Sequence, residues 1–478
     1  MRGSGLRLQN SVVKKGITNI KYVLISQIVS YTMSFVTAFI LPKLLGVSAN
    51  GYYQLYLLFT NYVGILHLGF NDGVYLKFGG VDYDDLPRGV FRAFMRFYFA
   101  FNALEVLIFT ALLFFETDPN RRFAIFFAIL NILVVNAAGL FNKINQISNR
   151  IKIFSGVVIA GNVQTLAGVG VLVLVHGINF RTVILCDFAA KLMMLLINLF
   201  FDRDIVFGRS EPLKGAFDQC VDNFRVGIKL TIANLMGMLV LNLGNFILSF
   251  GSIANFSLYS FAINSTNIAM MFISAISLVL YPILCRLDRE ALPRYFLLMN
   301  RLLCAAIFCM MLLYYPLELA IKLWLKAYTP VLAYLYLLFP IVIMQSKILM
   351  LINTYYNSLR EEKAMLIANV SSIIVFICIT LPLFALIPSI NVIAWTTLIT
   401  FTWRCYASEI YLKKKMGLRG VRNMIEELLM AAAFIVTAGV IGGVAGMVIY
   451  ALLAALYLFI NRTEIKLYSK KFIAAVRS

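Results

Sequence analysis

Apolar runs of about 20 residues recur along this chain with short polar turns between them, and few folds can bury such a pattern. From Ile20 to Leu41 only Ser, Thr, Gln and Tyr interrupt the apolar residues, with Lys21 the lone charge. At about 1.5 Å per residue this run spans a hydrocarbon core of roughly 30 Å. With no water in that core to satisfy the backbone, the run must be helical.

After a Pro-Lys-Leu-Leu-Gly turn a second crossing begins at Tyr52 and carries His67, Asn71, Asp72 and Lys77 in its last third. The pattern predicts further crossings at about 90–115, 123–147, 153–175 and 182–201, then a polar, basic stretch from Asp202 to Gly227. Six more follow at about 228–250, 257–284, 295–315, 331–358, 364–386 and 392–412. The last apolar run, 424–460, is too long for one crossing and has GGVAG at its middle, so it reads as a hairpin. The expected fold is an all-α polytopic membrane protein of about fourteen transmembrane helices; twelve plus a re-entrant pair is the alternative.

The domain reading follows: an N-terminal lobe (1–201), a cytoplasmic linker with a helix at the membrane surface (202–227), a C-terminal lobe (228–412), and an extra helix pair with a basic tail (413–478). GSIANFSLYSFAINST in the second half echoes GVSANGYYQLYLLFTN in the first, at the equivalent turn. Six spans per lobe is an even number. The lobes are therefore expected as parallel repeats about an axis along the membrane normal, with a site at their interface.

Charge fixes the orientation. The net charge of +20 would suggest nucleic acid in a soluble chain, but 61% of the residues are hydrophobic and only 13% charged. With the N-terminus inside, the external connections hold Lys43, Arg121, Arg122, Arg181, Lys322 and Lys326, and Lys191 and Lys347 lie mid-span. The other 34 of the 42 Lys and Arg fall in or beside cytoplasmic segments, as the positive-inside rule requires. No nucleic-acid partner is expected, and both termini are expected in the cytoplasm. The first 20 or so residues read as a basic amphipathic lead-in, not a cleaved signal. Seven cysteines without a CxxC pair suggest neither disulfides nor a metal site.

No P-loop, HExxH or G-x-S-x-G with partners is present, and the connections are too short for a soluble catalytic domain. No catalytic residue, metal or cofactor is assigned; a proton or sodium is the expected coupling ion. The polar residues inside the spans carry the functional reading, because charge in a bilayer is expensive. Asp187 and Lys191, four apart, make either an intrahelical ion pair or part of a site; Lys347 has no partner on its own helix. Glu105 is either a coupling carboxylate or a packed partner of a lysine, and His67 either a hydrogen-bonded core residue or a proton carrier. Asp72 either caps a helix break or contacts substrate. Arg301 reads as snorkelling to the interface, and Asp82, Asp84 and Asp85 as a solvated, capping turn. Substrate-binding candidates are thus Lys43, Asp72, Lys191, Lys347, Asn242 and Asn264. Coupling or gating candidates are His67, Glu105 and Asp187. Cations without partners outnumber such carboxylates, so an anionic headgroup such as pyrophosphate on a lipid is the expected ligand.

LPKLLGVSANGYYQLY and LGFNDGVYLKFGG resemble the turn after the first span and the end of the second in oligosaccharide flippases, the polysaccharide-transporter branch of the multidrug/oligosaccharidyl-lipid/polysaccharide (MOP) exporter superfamily. The resemblance covers nearly the whole chain through its two six-span lobes. It implies a V-shaped bundle with alternating access that moves an undecaprenyl-diphosphate-linked oligosaccharide to the outer leaflet of a bacterial inner membrane. Its implied partners are that substrate, membrane lipids and other polysaccharide-assembly proteins. Lys43 and Asp72 match the basic and acidic positions of the two motifs. The extra hairpin departs from the twelve-span pattern; the lipid II flippase branch also has fourteen spans, but its cluster of charges in the first span is absent here. A multidrug or organic-cation antiporter of the same superfamily is the nearest alternative. A membrane-embedded polymerase or ligase is the alternative from another class.

Overall fold

Each apolar run forms a helix, and several of the breaks fall at a side-chain cap, a glycine or a proline. The computed structural model describes residues 21–286 and 292–466. The basic lead-in, the middle of the turn between the eighth and ninth crossings, and the end of the basic tail lie outside the described residues.

Among the described residues ten helices are long and apolar enough to cross a membrane, or eleven when Lys326–Leu338 and Ile341–Ser358, bent by 53°, count as one span. Three further helical stretches sit between them in the expected order: Val47–Val63 with Phe70–Phe78, Ile253–Arg286 and Ile390–Lys415. The tally of apolar spans is therefore lower than the fourteen expected. The second crossing is in two pieces, joined by Leu68 (φ 46°) and Gly69 (φ 94°). The twelfth carries Arg404, Glu409 and three terminal lysines. Along Arg422–Ile441 and Gly443–Ile460 the chain reverses at Gly442 (φ 66°), and a Cβ on Gly446 would run into the Thr437 carbonyl across the turn. The last run is a hairpin.

Large apolar side chains such as Phe114, Phe115, Leu174 and Val440 are exposed, as expected where lipid is the solvent. Pro119–Ile147 and Leu292–Trp324 are 56% buried over their most apolar stretches, against as little as 17% elsewhere, and the bent pair Lys326–Leu338 and Ile341–Ser358 is also largely buried.

The chain divides into two units, residues 1–235 and 236–478. The helix Leu213–Ser249 passes through the boundary without a break. Residues 213–227, expected in a linker, are its first four or so turns. Their apolar residues recur every three to four positions and pack on the first unit: Cys220 is buried, Phe224 lies 5.2 Å from Phe70, and Phe217 lies 5.9 Å from Phe97. Gly227 crosses the second crossing so closely that a Cβ there would meet the Gly69 carbonyl and the Gly73 amide. Phe70 also stacks on Tyr98, with centroids 4.7 Å apart.

In the second unit Phe434 of the C-terminal hairpin is the hub of an aromatic cluster. Tyr314, Phe339 and Tyr450 lie 5.3, 5.8 and 5.3 Å from it. The extra pair is thus part of that unit's core.

Candidate functional site

Nearly every charge that the fold draws inside finds an opposite charge. Ten Asp, Glu, Lys and Arg side chains are buried among the described residues: Asp72, Asp187, Asp202, Glu318, Glu409, Glu427, Arg301, Lys347, Arg404 and Lys413. Nine of them have an ionic partner, and Arg404 does not.

In the first unit these contacts are pairs. Asp187 meets Lys191 one turn away, the arrangement expected of an intrahelical ion pair. The Tyr56 hydroxyl donates to the same Asp187 oxygen at 2.6 Å, and Asn131 donates to Tyr56 at 2.9 Å and to Thr60 at 3.2 Å. A second centre holds Asp72 between Lys143 (3.1 Å) and the Thr231 hydroxyl (2.8 Å). Asn131 and Lys143 share one helix, about 18 Å apart at 1.5 Å per residue, so these are separate centres. At one end of this unit Arg150 pairs with Asp202 at 2.5 Å and lies over the Tyr83 ring at 3.8 Å. Burial first, and the Asp202 charge next, push the Tyr83 hydroxyl up to about 12.

His67 sits in the break of the second crossing, where its Nδ1 accepts the Gly69 N–H at 2.9 Å and shapes the turn. Glu105 is half-buried; its Oε2 is shielded and has no hydrogen-bond partner among the described residues. No lysine among the described residues forms an ion pair with it. Lys43 is exposed in the last turn before Gly46.

The second unit overturns one expectation. Lys347 is not free: its side chain is 1% exposed, and its Nζ lies 2.5 Å from Glu409 and 2.6 Å from Glu427. Lys413 adds a contact to Glu409 at 2.8 Å, Asn300 donates to Glu409 at 3.1 Å, and the Cys304 thiol donates to Glu427 at 3.2 Å. Two lysines and two glutamates neutralise one another, drawn from three different helices. Arg301 does not snorkel either: it is buried against Glu426, Glu464 (2.9 Å) and the Tyr457 hydroxyl (3.2 Å). Both corrections have one cause. The acids stand on the C-terminal hairpin and on Ile390–Lys415, far along the chain from the cations they meet. Asn242 donates to the Met238 carbonyl of its own helix at 3.3 Å and accepts from Asn245 at 3.2 Å; Asn264 is half-buried on Ile253–Arg286.

Arg404 is not among the candidates legible in the sequence. It stands near the middle of Ile390–Lys415, 6% exposed, with no carboxylate in ion-pair range and no hydrogen bond among the described residues. The signal was present as a lone Arg in FTWRCYAS, but its closeness to KKK made it read as part of the cytoplasmic border.

No family model and no curated protein matches the chain. Among solved structures it is similar to the lipid II flippase MurJ in its inward closed conformation, at 13% identity and a TM-score of 0.65, covering 97% of this chain and 100% of that one. It is also similar to an outward-facing MATE-family multidrug resistance transporter of the MOP superfamily, at 10% identity and 0.55, covering 84% and 95%. A MOP-superfamily transporter from Pyrococcus furiosus, reported for the reversed polarity of its binding pocket, matches at 11% identity and 0.56, covering 84% and 95%. The chain is therefore a multi-pass membrane protein with the all-helical fold shared by the flippases and transporters of the MOP superfamily.

Proposed function

We propose that this chain is a flippase that moves an undecaprenyl-diphosphate-linked oligosaccharide from the cytoplasmic to the outer leaflet of a bacterial inner membrane. It would serve capsule, exopolysaccharide or O-antigen assembly by alternately exposing its site to the two sides, with both termini in the cytoplasm. One observation carries the reading: the single buried charge without an ionic partner among the described residues is a cation, Arg404. A carrier of cationic drugs needs unneutralised carboxylates facing its cargo, whereas among the described residues all six buried carboxylates are held by Lys or Arg, and the half-buried Glu105 is the exception outside that set. The full-length likeness to MurJ supports a lipid-linked cargo and keeps lipid II itself as a second reading.

Reconstitution of the purified chain into vesicles tests this. A fluorescent undecaprenyl-diphosphate saccharide should become accessible to an impermeant quencher in protein-containing vesicles, while ethidium is not moved. Ethidium transport without lipid translocation would replace the reading with the antiporter. Lipid II translocated in preference to other diphosphate-linked saccharides would move it to the lipid II branch.

A further inference from the structure

A guanidinium buried inside a bilayer protein is costly unless something neutralises it, and arginine does not escape by losing its proton. The network next to it offers no spare charge: Lys347 and Lys413 already balance Glu409 and Glu427, so Arg404 is in excess. Its titratable neighbours include Tyr356 and the Cys405 thiol, neither an anion at neutral pH.

A second donor stands beside it. Asn369, on the packed neighbour helix Glu362–Leu386, is also buried and makes no hydrogen bond among the described residues. Both side chains face Gly237: a Cβ built there would lie 3.9 Å from Asn369 Nδ2 and 4.0 Å from Arg404 Nη2. A methyl at Gly237 would therefore touch both groups, so the glycine is the point where an amide donor and a forked cation converge. All these residues belong to the second unit. Arg404 lies about 16 Å along its helix from the basic end at Lys415, well inside the span.

We propose that Arg404 and Asn369, over Gly237, bind a phosphate of a diphosphate group. Arginine presents paired N–H donors that match two phosphate oxygens, and the amide supplies a third. The identity of the carrier lipid rests on the flippase reading; the anion site does not.

The test is the thermal unfolding of the full chain in detergent, with inorganic pyrophosphate or with undecaprenyl diphosphate, for wild type, Arg404→Gln, Arg404→Lys and Asn369→Ala. A ligand that binds the folded state raises the midpoint in proportion to its affinity. Wild type should be raised by undecaprenyl diphosphate, with about tenfold to hundredfold weaker binding in Arg404→Gln and an intermediate loss in Arg404→Lys and Asn369→Ala. Arg404→Gln without ligand should melt no lower than wild type, which separates binding from a structural role. A response to pyrophosphate alone, lost in Arg404→Gln, would keep the anion site and remove the lipid-linked cargo. An equal response in wild type and Arg404→Gln, or no response to either ligand in wild type, would overturn the site.

Discussion

The two units handle buried charge differently. In the first, each acid meets one cation, and the cations keep a path to solvent: the Lys143 and Lys191 side chains are 33% and 22% exposed. The second holds one such pair, Glu318 with the half-exposed Lys322, but there Lys347, Glu409, Glu427 and Lys413 also close on one another with almost no exposure, and Arg301 is held by two glutamates. Pairs that solvent can reach cost little to break, because water takes over from the lost partner. A sealed network cannot be opened without leaving a naked charge. The first unit's pairs are therefore suited to exchange partners during transport, while the second unit's network is a fixed frame around one surplus cation.

The contrast predicts its own largest effect at Lys347. Lys347→Ala strands two adjacent carboxylates and should cost about 3–5 kcal/mol, seen as a collapse of the thermal midpoint or of folded yield in detergent. Lys191→Ala should lower stability by about 1 kcal/mol or less, since Tyr56 still donates to Asp187. Equal losses for the two lysines would erase the distinction.

A backbone effect comes next in size. Gly227→Ala drives a methyl into the second crossing and should cost about 1–3 kcal/mol, whereas Gly156→Ala, with open space beside it, should be neutral. Both are read by denaturation midpoints.

The smallest effect lies outside the membrane. Asp118 caps the helix Pro119–Ile147 by accepting the Asn120 N–H at 2.8 Å, and Tyr52 donates to it at 2.9 Å. Burial opposes its charge, but these donors and Arg121 hold its pKa below the usual carboxylate range. The contribution is then full above the ordinary carboxylate pKa and is lost as pH falls through the lowered one. Asp118→Ala should cost about 1 kcal/mol at neutral pH and almost nothing in strong acid. A cost independent of pH would assign the effect to packing.

What the sequence allowed tracks the distance over which each feature is decided. Helices, turns and the final hairpin are local, set by apolar runs, by Gly442 and by the caps at Asp118 and Asn179. So was the pair Asp187–Lys191, one turn apart. Residues 213–227, expected as a linker with a surface helix, are helical, but their apolar stripe, Phe217, Cys220 and Phe224, is sparse among polar residues and gains its packing meaning only against Phe70 and Phe97. Lys347 finds Glu427 80 residues away, and Arg301 finds Glu464 163 residues away. No spacing rule on one helix reports such a contact. Arg404 was missed for the converse reason: that it has no ionic partner among the described residues shows only once the acids around it have been placed.

The most direct test compares two substitutions at fixed side-chain chemistry, Arg404→Leu and Lys347→Leu, by thermal unfolding of the purified chain without ligand. Removing the surplus cation should leave the midpoint unchanged or raise it, and removing the shared one should lower it steeply. Two drops of similar size would mean that Arg404 is as firmly neutralised as Lys347, and the case for an anionic cargo would fall with it.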